Sequence, residues 1–445
     1  QYDAVIANPP YMGGKGMNTA LKGFAKKTFP DSKSDLFAMF IERGFEWCKD
    51  SGFNSMVTMQ SWMFLSSYQA MREKLLQDRT IQTMAHLGAR AFPEISGEVV
   101  QATAFVMQGK HLEGFKPVFF RLVDVEQNQK EIVLKQGLNR FDTAIQDDFK
   151  KIPGSPVAYW VSDGLRNIFS ENSPLGELCL TKQGMATGDN DSFLRLWFEI
   201  DWEAANLTSP NMSSFWKSKA KYARYNKGGA YRKWYGNNEY FIKFSEKDYA
   251  VLKNQGNHCP SQSYYFKEAI TWSDITTKAF GARYSPEGAV FDVKGSCAFP
   301  KDTDFHLVLG LFASNIVNYF MGILNPSSTF QVGDIAKIPV PKFISFEKNS
   351  KIVDLLLDIS KSDWDSYETS WGFTENPIIR TQQPNLEQAF HTWQQQNADA
   401  VAEMKRLEEE NNKLFIDAYG LQDELTPDVP DEQITLTRAD RERDS

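Results

Sequence analysis

The first 150 residues alternate between strand-like and helix-like apolar patterns. A short apolar run ends at Ala7 and leads through a glycine loop to residues 34–49, where apolar side chains recur at helical spacing. A β-rich run, a second helical pattern and two further strand-like runs follow, at 54–59, 68–77, 81–87 and 99–107. Strands that alternate with helices predict βαβ connectivity. We therefore predict an α/β fold, the second half of a doubly wound sheet that ends in an antiparallel hairpin.

The alternation stops near residue 151, and residues 151–345 are richer in glycine, asparagine and aromatic residues. We predict a mixed α+β domain for this segment. It includes a helix within 299–331, and the alternating prolines of Ile338–Pro341 predict its end, because they cannot continue a strand ladder. The turn Thr187–Asp191 is rich in side chains that cap their own backbone, and we favour that as its immediate role.

Residues 346–445 have the pattern of a helical connector. Leu386–Tyr419 carries spaced apolar residues among many Gln, Glu and Asn, and contains no glycine or proline before Gly420. This pattern predicts a long amphipathic helix that packs on another part of the protein. A free-standing coiled coil is disfavoured, because apolar a and d positions are not sustained over several heptads. An acidic segment follows, either a linker or a surface that repels polyanions.

The apolar run at the start of the chain ends in Asn8-Pro9-Pro10-Tyr11, which is suited to holding an amino group. The lone pair of an aromatic amine such as adenine N6 is delocalised, so this nitrogen attacks a methyl donor only when acceptors take both of its N–H groups. The side-chain oxygen of Asn8 and the carbonyl oxygen of Pro9 are two such acceptors, and Pro10 stiffens the loop. Tyr11 adds a ring on which an extracted base can stack.

The same tetrapeptide also fits a plain turn that ends a strand, because Asn and Pro are turn formers. The order strand, tetrapeptide, helix favours a functional site, since open α/β sheets bind ligands beyond the carboxyl ends of their strands. The following loop, Met12–Gly16, lacks the Gly and Lys-Ser/Thr spacing of a phosphate-binding loop. We interpret it as a flexible loop on the substrate side.

The tetrapeptide resembles the catalytic motif of N6-adenine DNA methyltransferases whose cofactor loop comes before that motif. Further segments extend the resemblance over nearly the whole chain to the PglX-type methyltransferases of bacterial BREX phage-defence systems. These segments are Lys33–Phe37, Ser55–Leu65, Gly184–Asp191, Asn325–Ile335 and Asn412–Leu421. The tetrapeptide alone is shared with protein-glutamine and RNA methyltransferases.

The resemblance implies a catalytic methyltransferase domain at 1–150, a DNA target-recognition domain at 151–345 and a helical connector with an acidic end at 346–445. It implies S-adenosylmethionine as cofactor, with the main binding loop ahead of the catalytic motif and so not in this chain. Asn8 then lies at the edge of the cofactor site. We expect an internal fragment of a longer protein that on its own binds S-adenosylmethionine poorly and is inactive.

Composition adds bounds that agree with an enzyme of the cytosol. The 445 residues suggest two or three domains, and the chain opens on no signal sequence and contains no apolar run long enough to cross a bilayer. Its four cysteines lack paired spacing, which favours reduced thiols over disulfides or zinc. The five scattered histidines indicate no metal site and fit surface or structural roles, at His86, His111, His258, His306 and His391.

The net charge of −8 is concentrated in the tail, since residues 398–445 hold 14 acidic and six basic residues. Residues 211–247 instead hold nine basic and two acidic residues, interleaved with aromatic residues. Such a stretch suits phosphate contacts and base stacking, although a solvated loop beside an unrelated core has the same composition. The candidate DNA-binding residues are Lys217, Lys219, Lys221, Arg224, Lys227, Arg232, Lys233, Trp234 and Tyr235.

These patterns favour a site-specific adenine methyltransferase that flips its target base out of double-stranded DNA. The resemblance adds the marking of host DNA in phage defence, with other defence proteins and the missing N-terminal part of the same polypeptide as partners. Three alternatives stay open. They are a restriction–modification fusion with a nuclease, a non-catalytic DNA-recognition module and a protein-glutamine methyltransferase, the last disfavoured by the large domain after the catalytic sheet.

Overall fold

A computed structural model describes residues 1–92, 100–276, 279–301, 305–326, 329–342 and 346–438, without the side chain of Phe346. The chain divides into two compact units. The first contains residues 1–171 and 323–326, and the second contains 172–322 and the residues from 327 onward. The long C-terminal helix therefore lies in the same unit as the segment 172–322. The predicted positions Val99, Ser327 and Ser328 and the acidic residues after 438 lie outside the described residues.

The first unit has an α/β order of elements, as the apolar spacing predicts. Short 3-10 helices aside, its described elements are β1 (Tyr2–Ala7), α1 (Thr19–Thr28), α2 (Leu36–Trp47), β2 (Cys48–Met59), α3 (Gln69–Asp78), β3 (Thr80–Gly88), β4 (Ala102–Gln108), β5 (Val118–Arg121), α4 (Lys130–Lys135), β6 (Arg140–Phe141) and α5 (Asp163–Glu171).

The six strands form one sheet in the order β1-β2-β4-β3-β5-β6. β1 is parallel to β2, and β4 lies antiparallel between β2 and β3, so β1, β2 and β3 all point the same way. The predicted antiparallel pairing of the strands near 81–87 and 99–107 is confirmed by the β3–β4 pairing, but the sheet does not end there, because β5 and β6 extend it beyond β3. The residues that follow β1 and β2 therefore emerge at one edge of the sheet, where open α/β sheets bind ligands.

The core of the first unit forms where α2 and α3 cover the sheet. Phe37 and Ile41 of α2 are fully buried, as the helical spacing predicts, and they join Met56 of β2 and Met84 of β3 in one apolar cluster. Burial of such side chains is the main stabilising contribution to the unit. β1 lies at the edge of the sheet and is less covered, with Tyr2 64% and Ile6 81% exposed.

The second unit mixes short strands and helices. Its described elements are α6 (Leu175–Leu178), β7 (Cys179–Lys182), α7 (Asn190–Phe193), β8 (Leu194–Leu196), β9 (Ala205–Asn206), α8 (Met212–Lys217), β10 (Tyr222–Asn226), β11 (Tyr240–Lys243), α9 (Glu246–Leu252), β12 (Ala269–Trp272), β13 (Ala282–Ser285), β14 (Ala289–Phe291), β15 (Cys297–Pro300), α10 (Phe305–Ala313), α11 (Asn315–Leu324), α12 (Val332–Ile335), α13 (Phe346–Trp364), α14 (Pro377–Arg380) and α15 (Leu386–Tyr419).

Two sheets organise this unit. One has the strand order β14-β10-β11-β8, with β9 beside β10, and the other is the antiparallel sheet β13-β12-β15-β7. α13 packs against both α10 and α15. The segment Ile338–Pro341 pairs with residues 173–175 through backbone hydrogen bonds from Leu175 to Ile338 and from Val340 to Ser173. The proline-containing segment therefore pairs with the first residues of the second unit, and the unit continues beyond this segment.

The long helix α15 has the predicted limits, because both of its ends are capped. The side chain of Asn385 accepts a hydrogen bond from the backbone N–H of Gln388, and Gly420 adopts the left-handed conformation with φ of 68°. The single helix predicted within 299–331 is instead two helices, α10 and α11, bent by 71°. The break falls at Ser314, where the next backbone N–H, of Asn315, donates to the side chain of Asn412.

Candidate active site and nucleic-acid surface

The tetrapeptide Asn8–Tyr11 leaves the sheet directly after β1. Asn8 and Pro10 are exposed, and Pro9 is buried. The carboxamide of Asn8 makes no hydrogen bond within the described residues. Pro9 and Pro10 have no backbone N–H, so neither can donate a hydrogen bond to a neighbouring carbonyl. The geometry thus places an unpaired amide side chain beside a stiff loop, at the edge of the sheet where the carboxyl ends of β1 and β2 lie.

Tyr11 is half-buried rather than a fully exposed stacking ring. Its ring lies edge-to-face with Phe37, with centroids 6.0 Å apart and an interplanar angle of 80°. The hydroxyl is buried and has no hydrogen-bond partner among the described residues, and burial raises the pKa of Tyr11. A neutral phenol without an acceptor for its proton is unsuited to act as a base. The chemical contribution of Tyr11 is therefore its ring.

The glycine loop Met12–Gly16 leads into α1, whose first turn is already capped. The side chain of Asn18 accepts a hydrogen bond from the backbone N–H of Leu21 at 2.9 Å. The loop folds back on itself through a bond from the N–H of Gly16 to the carbonyl of Gly13 at 2.9 Å. This conformation agrees with the interpretation that the loop does not bind phosphate.

A buried polar network occupies the same edge of the sheet. Nε2 of His86 lies 2.7 Å from Oε1 of Gln60, and Nδ1 lies 3.1 Å from the hydroxyl of Tyr159. Burial lowers the pKa of His86 to about 3, and the positive charges of Arg121 and Lys130 act in the same direction. His86 is therefore a neutral structural residue at pH 7. The hydrophobic–polar pattern gave no signal for this network, because its three members come from three separate segments.

The described residues offer no metal site. Within them, no group of three or more His, Cys, Asp or Glu side chains is placed to hold an ion. All four cysteines are free and buried. Burial raises the pKa of both Cys179 and Cys297 to about 12, so these thiols stay protonated and unreactive at neutral pH.

The turn Thr187–Asp191 caps its own backbone, as predicted. The side chain of Asp189 begins α7 by accepting a hydrogen bond from the N–H of Ser192 at 3.1 Å. The hydroxyl of Thr187 donates to the side chain of Asn190 at 2.7 Å. Asn190 in turn accepts from Nζ of Lys227 at 3.3 Å, which ties this turn to the basic segment.

Only part of the basic segment 211–247 lies on the surface. Lys217, Lys219 and Lys221 are exposed. Lys227 is half-buried, and its Nζ lies 2.9 Å from Oδ2 of Asp292. The guanidinium of Arg232 lies 3.4 Å from Asp363 and 4.8 Å from the ring centroid of Trp364.

The other four predicted DNA contacts are buried inside the unit, which corrects the sequence expectation for them. Arg224 donates to the carbonyls of Pro286 and Glu287. Nζ of Lys233 pairs with Glu408, and Nε1 of Trp234 donates to the same carboxylate at 2.8 Å. The exposed fractions of these residues are small throughout, at 6% for Arg224, 4% for Lys233, 0% for Trp234 and 5% for Tyr235. A buried charge requires a partner, and these partners lie far away in sequence.

No single helix within the described ranges is both long and apolar enough to cross a membrane. The bent pair α10 and α11 passes such a test by length and composition only. Apolar residues of both helices are buried in the fold, including Leu309, Leu311, Ile316 and Phe320 at 0% exposure. Core helices of this kind commonly pass the same test.

Comparison with known proteins connects this geometry to DNA-modifying enzymes. Residues 1–92 match the family model of the Eco57I restriction-modification methylase. The chain is 42% identical over 443 residues to the adenine-specific methyltransferase BrxX of Escherichia coli O9:H4 (strain HS), covering 98% of the chain and 35% of that protein. It is 39% identical over 467 residues to the adenine-specific methyltransferase PglX of Lacticaseibacillus casei (strain Zhang), covering 100% and 38%.

The chain therefore spans little more than a third of the length of these relatives. Among solved structures, the Type IIL restriction-modification enzyme MmeI in complex with DNA is similar with a TM-score of 0.55 at 10% identity, over 95% of this chain and 55% of that one. This similarity supports the fold alone. The resemblance inferred from the motifs is confirmed by the two relatives, which extend over the whole chain.

Proposed function

We propose that this chain, a relative over its full length of the adenine-specific methyltransferases BrxX and PglX, forms the amine-holding and DNA-recognition part of a site-specific N6-adenine DNA methyltransferase. The observation that carries the proposal is the carboxamide of Asn8, exposed and free of internal hydrogen bonds at the carboxyl end of β1. The family match over residues 1–92 covers this same region.

The proposed mechanism needs two acceptors and a ring. The target adenine leaves the duplex and stacks against Tyr11, and this contact replaces part of the base stacking that is lost in the duplex. The side-chain oxygen of Asn8 and the carbonyl oxygen of Pro9 accept the two N–H groups of N6, so the nitrogen lone pair becomes available. Because these dipoles are held in place before reaction, little reorganisation is required as charge develops.

S-adenosylmethionine supplies the methyl group when it is bound, and Asn8 lies at the edge of its site. No tuned general base is required, because the nitrogen becomes acidic once it is methylated and the proton then leaves. The buried, unpaired hydroxyl of Tyr11 agrees with a site that works without a base at this position. The described residues of this chain bind and orient the amine.

The exposed lysines of the basic segment are the proposed phosphate contacts, since they project from the second unit without the internal ion pairs of Arg232 and Lys233. Replacing Lys217, Lys219 and Lys221 together with alanine is expected to weaken DNA binding and to reduce the salt dependence of log K by about 2 to 3. Fluorescence anisotropy at several salt concentrations measures this slope.

A matched triple variant removes the same charge elsewhere in the second unit, at Lys351, Lys361 and Lys413, which are also exposed. It should leave the slope nearly unchanged. Equal slopes for both triple variants would remove residues 217–221 from the DNA-binding surface.

The biological setting that the motif resemblance implies, and that we propose here, is phage defence, in which methylation marks host DNA. The proposed partners are other defence proteins and a polypeptide segment equivalent to the part of the relatives that this chain does not span. A restriction–modification fusion is the second candidate, favoured by the match of residues 1–92 to the family model of the Eco57I restriction-modification methylase. A non-catalytic recognition module is the third. The presence or absence of N6-methyladenine and of DNA cleavage separates the three.

The direct test compares genomic methylation with and without the intact protein. The full-length gene product is expressed in a host that lacks adenine methylation of its own, and the genome is read by single-molecule sequencing. We expect N6-methyladenine at one recurrent sequence, with no loss of chromosome integrity. An unmethylated genome in the presence of folded protein would refute the enzymatic proposal, and cleaved DNA would favour the fusion enzyme.

A further inference from the structure

The segment Lys33–Phe37 closes directly onto the residues that follow the catalytic tetrapeptide. Oδ1 of Asp35 accepts the backbone N–H of Met12 at 2.8 Å. Two backbone hydrogen bonds run beside it, from Leu36 to the carbonyl of Met12 at 3.2 Å and from Gly14 to the carbonyl of Ser34 at 3.1 Å. Residues 12–14 are therefore tied to residues 34–36, more than 20 positions later in the chain.

Asp35 performs two separable tasks with one oxygen atom. It begins α2 as the N-cap, and Oδ1 accepts the N–H of Phe37 at 3.3 Å. This bond alone accounts for a capping residue. The bond to Met12 adds nothing to the helix, because Met12 lies 23 residues before Asp35. Its effect is on the loop that begins at Tyr11.

The carboxylate of Asp35 is held in place by burial and by its hydrogen bonds to the backbone. Asp35 is 8% exposed, and burial raises its pKa while the N–H groups of Met12, Phe37 and Leu36 lower it. The second carboxylate oxygen, Oδ2, would lie 3.5 Å from a Cβ atom added at Gly13. A short, buried side chain with two backbone partners has little freedom, so it fixes the position of the Met12 amide.

Phe37 fixes the other side of the same loop. It is fully buried in the core cluster, and its ring lies edge-to-face with that of Tyr11. Two contacts therefore restrain Tyr11. Phe37 packs against its ring, and the hydrogen bond from the N–H of Met12 to Asp35 holds the backbone at the next residue. Both constraints come from the start of α2.

We propose that Asp35 is a positioning residue for methyl transfer, acting through the Met12 amide to hold Tyr11 and the preceding carbonyl of Pro9 in the orientation that receives the flipped adenine. This inference rests on the proposed function and deepens it. Asp35 touches neither the base nor the methyl donor in this scheme. Its loss should therefore affect the rate of the chemical step more than the binding of DNA.

The test compares three substitutions of Asp35 with a matched loss of a helix cap, all in the full-length protein. Asp35→Ala should lower the single-turnover rate constant of methyl transfer by about 10- to 100-fold and should change the KM for DNA by less than about threefold. Asp35→Asn keeps an acceptor oxygen for Met12 and should recover most of the rate. Asp35→Ser keeps a capping oxygen for α2 but is one atom shorter, so it should fold and still be slow.

Asn18→Ala is the control, because Asn18 caps α1 in the same unit and makes no bond to the catalytic loop. It costs about as much helix stability as the loss of the Asp35 cap and should leave kcat within about twofold. The inference is overturned if Asp35→Ala and Asp35→Ser react as fast as Asn18→Ala, or if Asp35→Asn is as slow as Asp35→Ala. A wild-type protein that methylates nothing would instead refute the proposed function, and the inference with it.

Discussion

Replacement of Asn8 by alanine in the full-length protein is expected to abolish methylation, by at least about 100-fold in kcat. The carboxamide is one of the two acceptors that make the N6 lone pair available, and its removal leaves one N–H of the amine unpaired in the transition state. Because Asn8 is exposed and makes no hydrogen bond within the described residues, its loss should cost the fold little. The product is measured as N6-methyladenine by mass spectrometry.

DNA affinity of the same variant should stay within about threefold of wild type, since phosphate contacts dominate binding. Asn8→Asp is the graded control, because a carboxylate oxygen is still an acceptor at the same distance from the backbone. We expect it to retain more activity than Asn8→Ala. Undiminished methylation by Asn8→Ala would show that the amine is held by other groups and would remove Asn8 from the mechanism.

Replacement of Glu408 by alanine is expected to destabilise the second unit by about 3–5 kcal/mol. Glu408 is 2% exposed and accepts both from Nζ of Lys233 and from Nε1 of Trp234. Its removal leaves a buried ammonium without a counter-charge and a buried indole N–H without an acceptor, and each is costly. Urea unfolding followed by circular dichroism should show the loss as a lower midpoint.

Two further variants separate the buried pair from charge in general. Glu403 lies on the same helix α15 and pairs with Arg406 at the surface, so Glu403→Ala should cost no more than about 1 kcal/mol. The double variant Lys233→Met with Glu408→Leu replaces both charges by apolar groups and should recover much of the loss. Equal destabilisation by Glu403→Ala and Glu408→Ala would contradict a structural role for the buried pair.

The elements of the fold that local pattern specifies were predictable from the sequence. The helix α15 runs from Leu386 to Tyr419 as predicted, because its apolar spacing and its terminal glycine are both local signals. β2 was predicted only over 54–59, yet it begins at Cys48. Its first residues include the polar Lys49 and Asp50, and they extend the strand because Cys48 pairs with Tyr2 of β1 across an irregularity in the register.

The candidate site was predictable where the chemistry is contiguous in sequence. Asn8–Tyr11 identified itself by residue type and by its place after a strand, and the placement of Asn8 at the sheet edge agrees with that expectation. The basic segment was less predictable, because composition does not reveal whether a lysine faces solvent or a carboxylate. Lys233 and Glu408 are 175 positions apart, and no local pattern connects them.

The role of Asp35 shows the same limit within the catalytic unit. The sequence pattern Lys33–Phe37 was informative only as part of a resemblance, and the physical reason for it is a hydrogen bond that spans 23 residues. The motif resemblance included this segment, and the geometry indicates what Asp35 contacts. Similarly, Asn412 of α15 accepts a hydrogen bond from the backbone N–H of Asn315 at the break between α10 and α11, a tertiary contact that helical periodicity cannot report.

The hydrogen bonds and ion pair that join Lys233 and Trp234 to Glu408 constrain how residues 211–247 can be exchanged between related proteins. Transplanting residues 211–247 into a relative would bring Lys233 and Trp234 into a host whose opposite helix has to offer a matching carboxylate. A chimera is therefore expected to succeed only when the facing turns of α13 and α15 are exchanged together with the loop. The unit that can be exchanged is discontinuous in sequence, although it is contiguous in space.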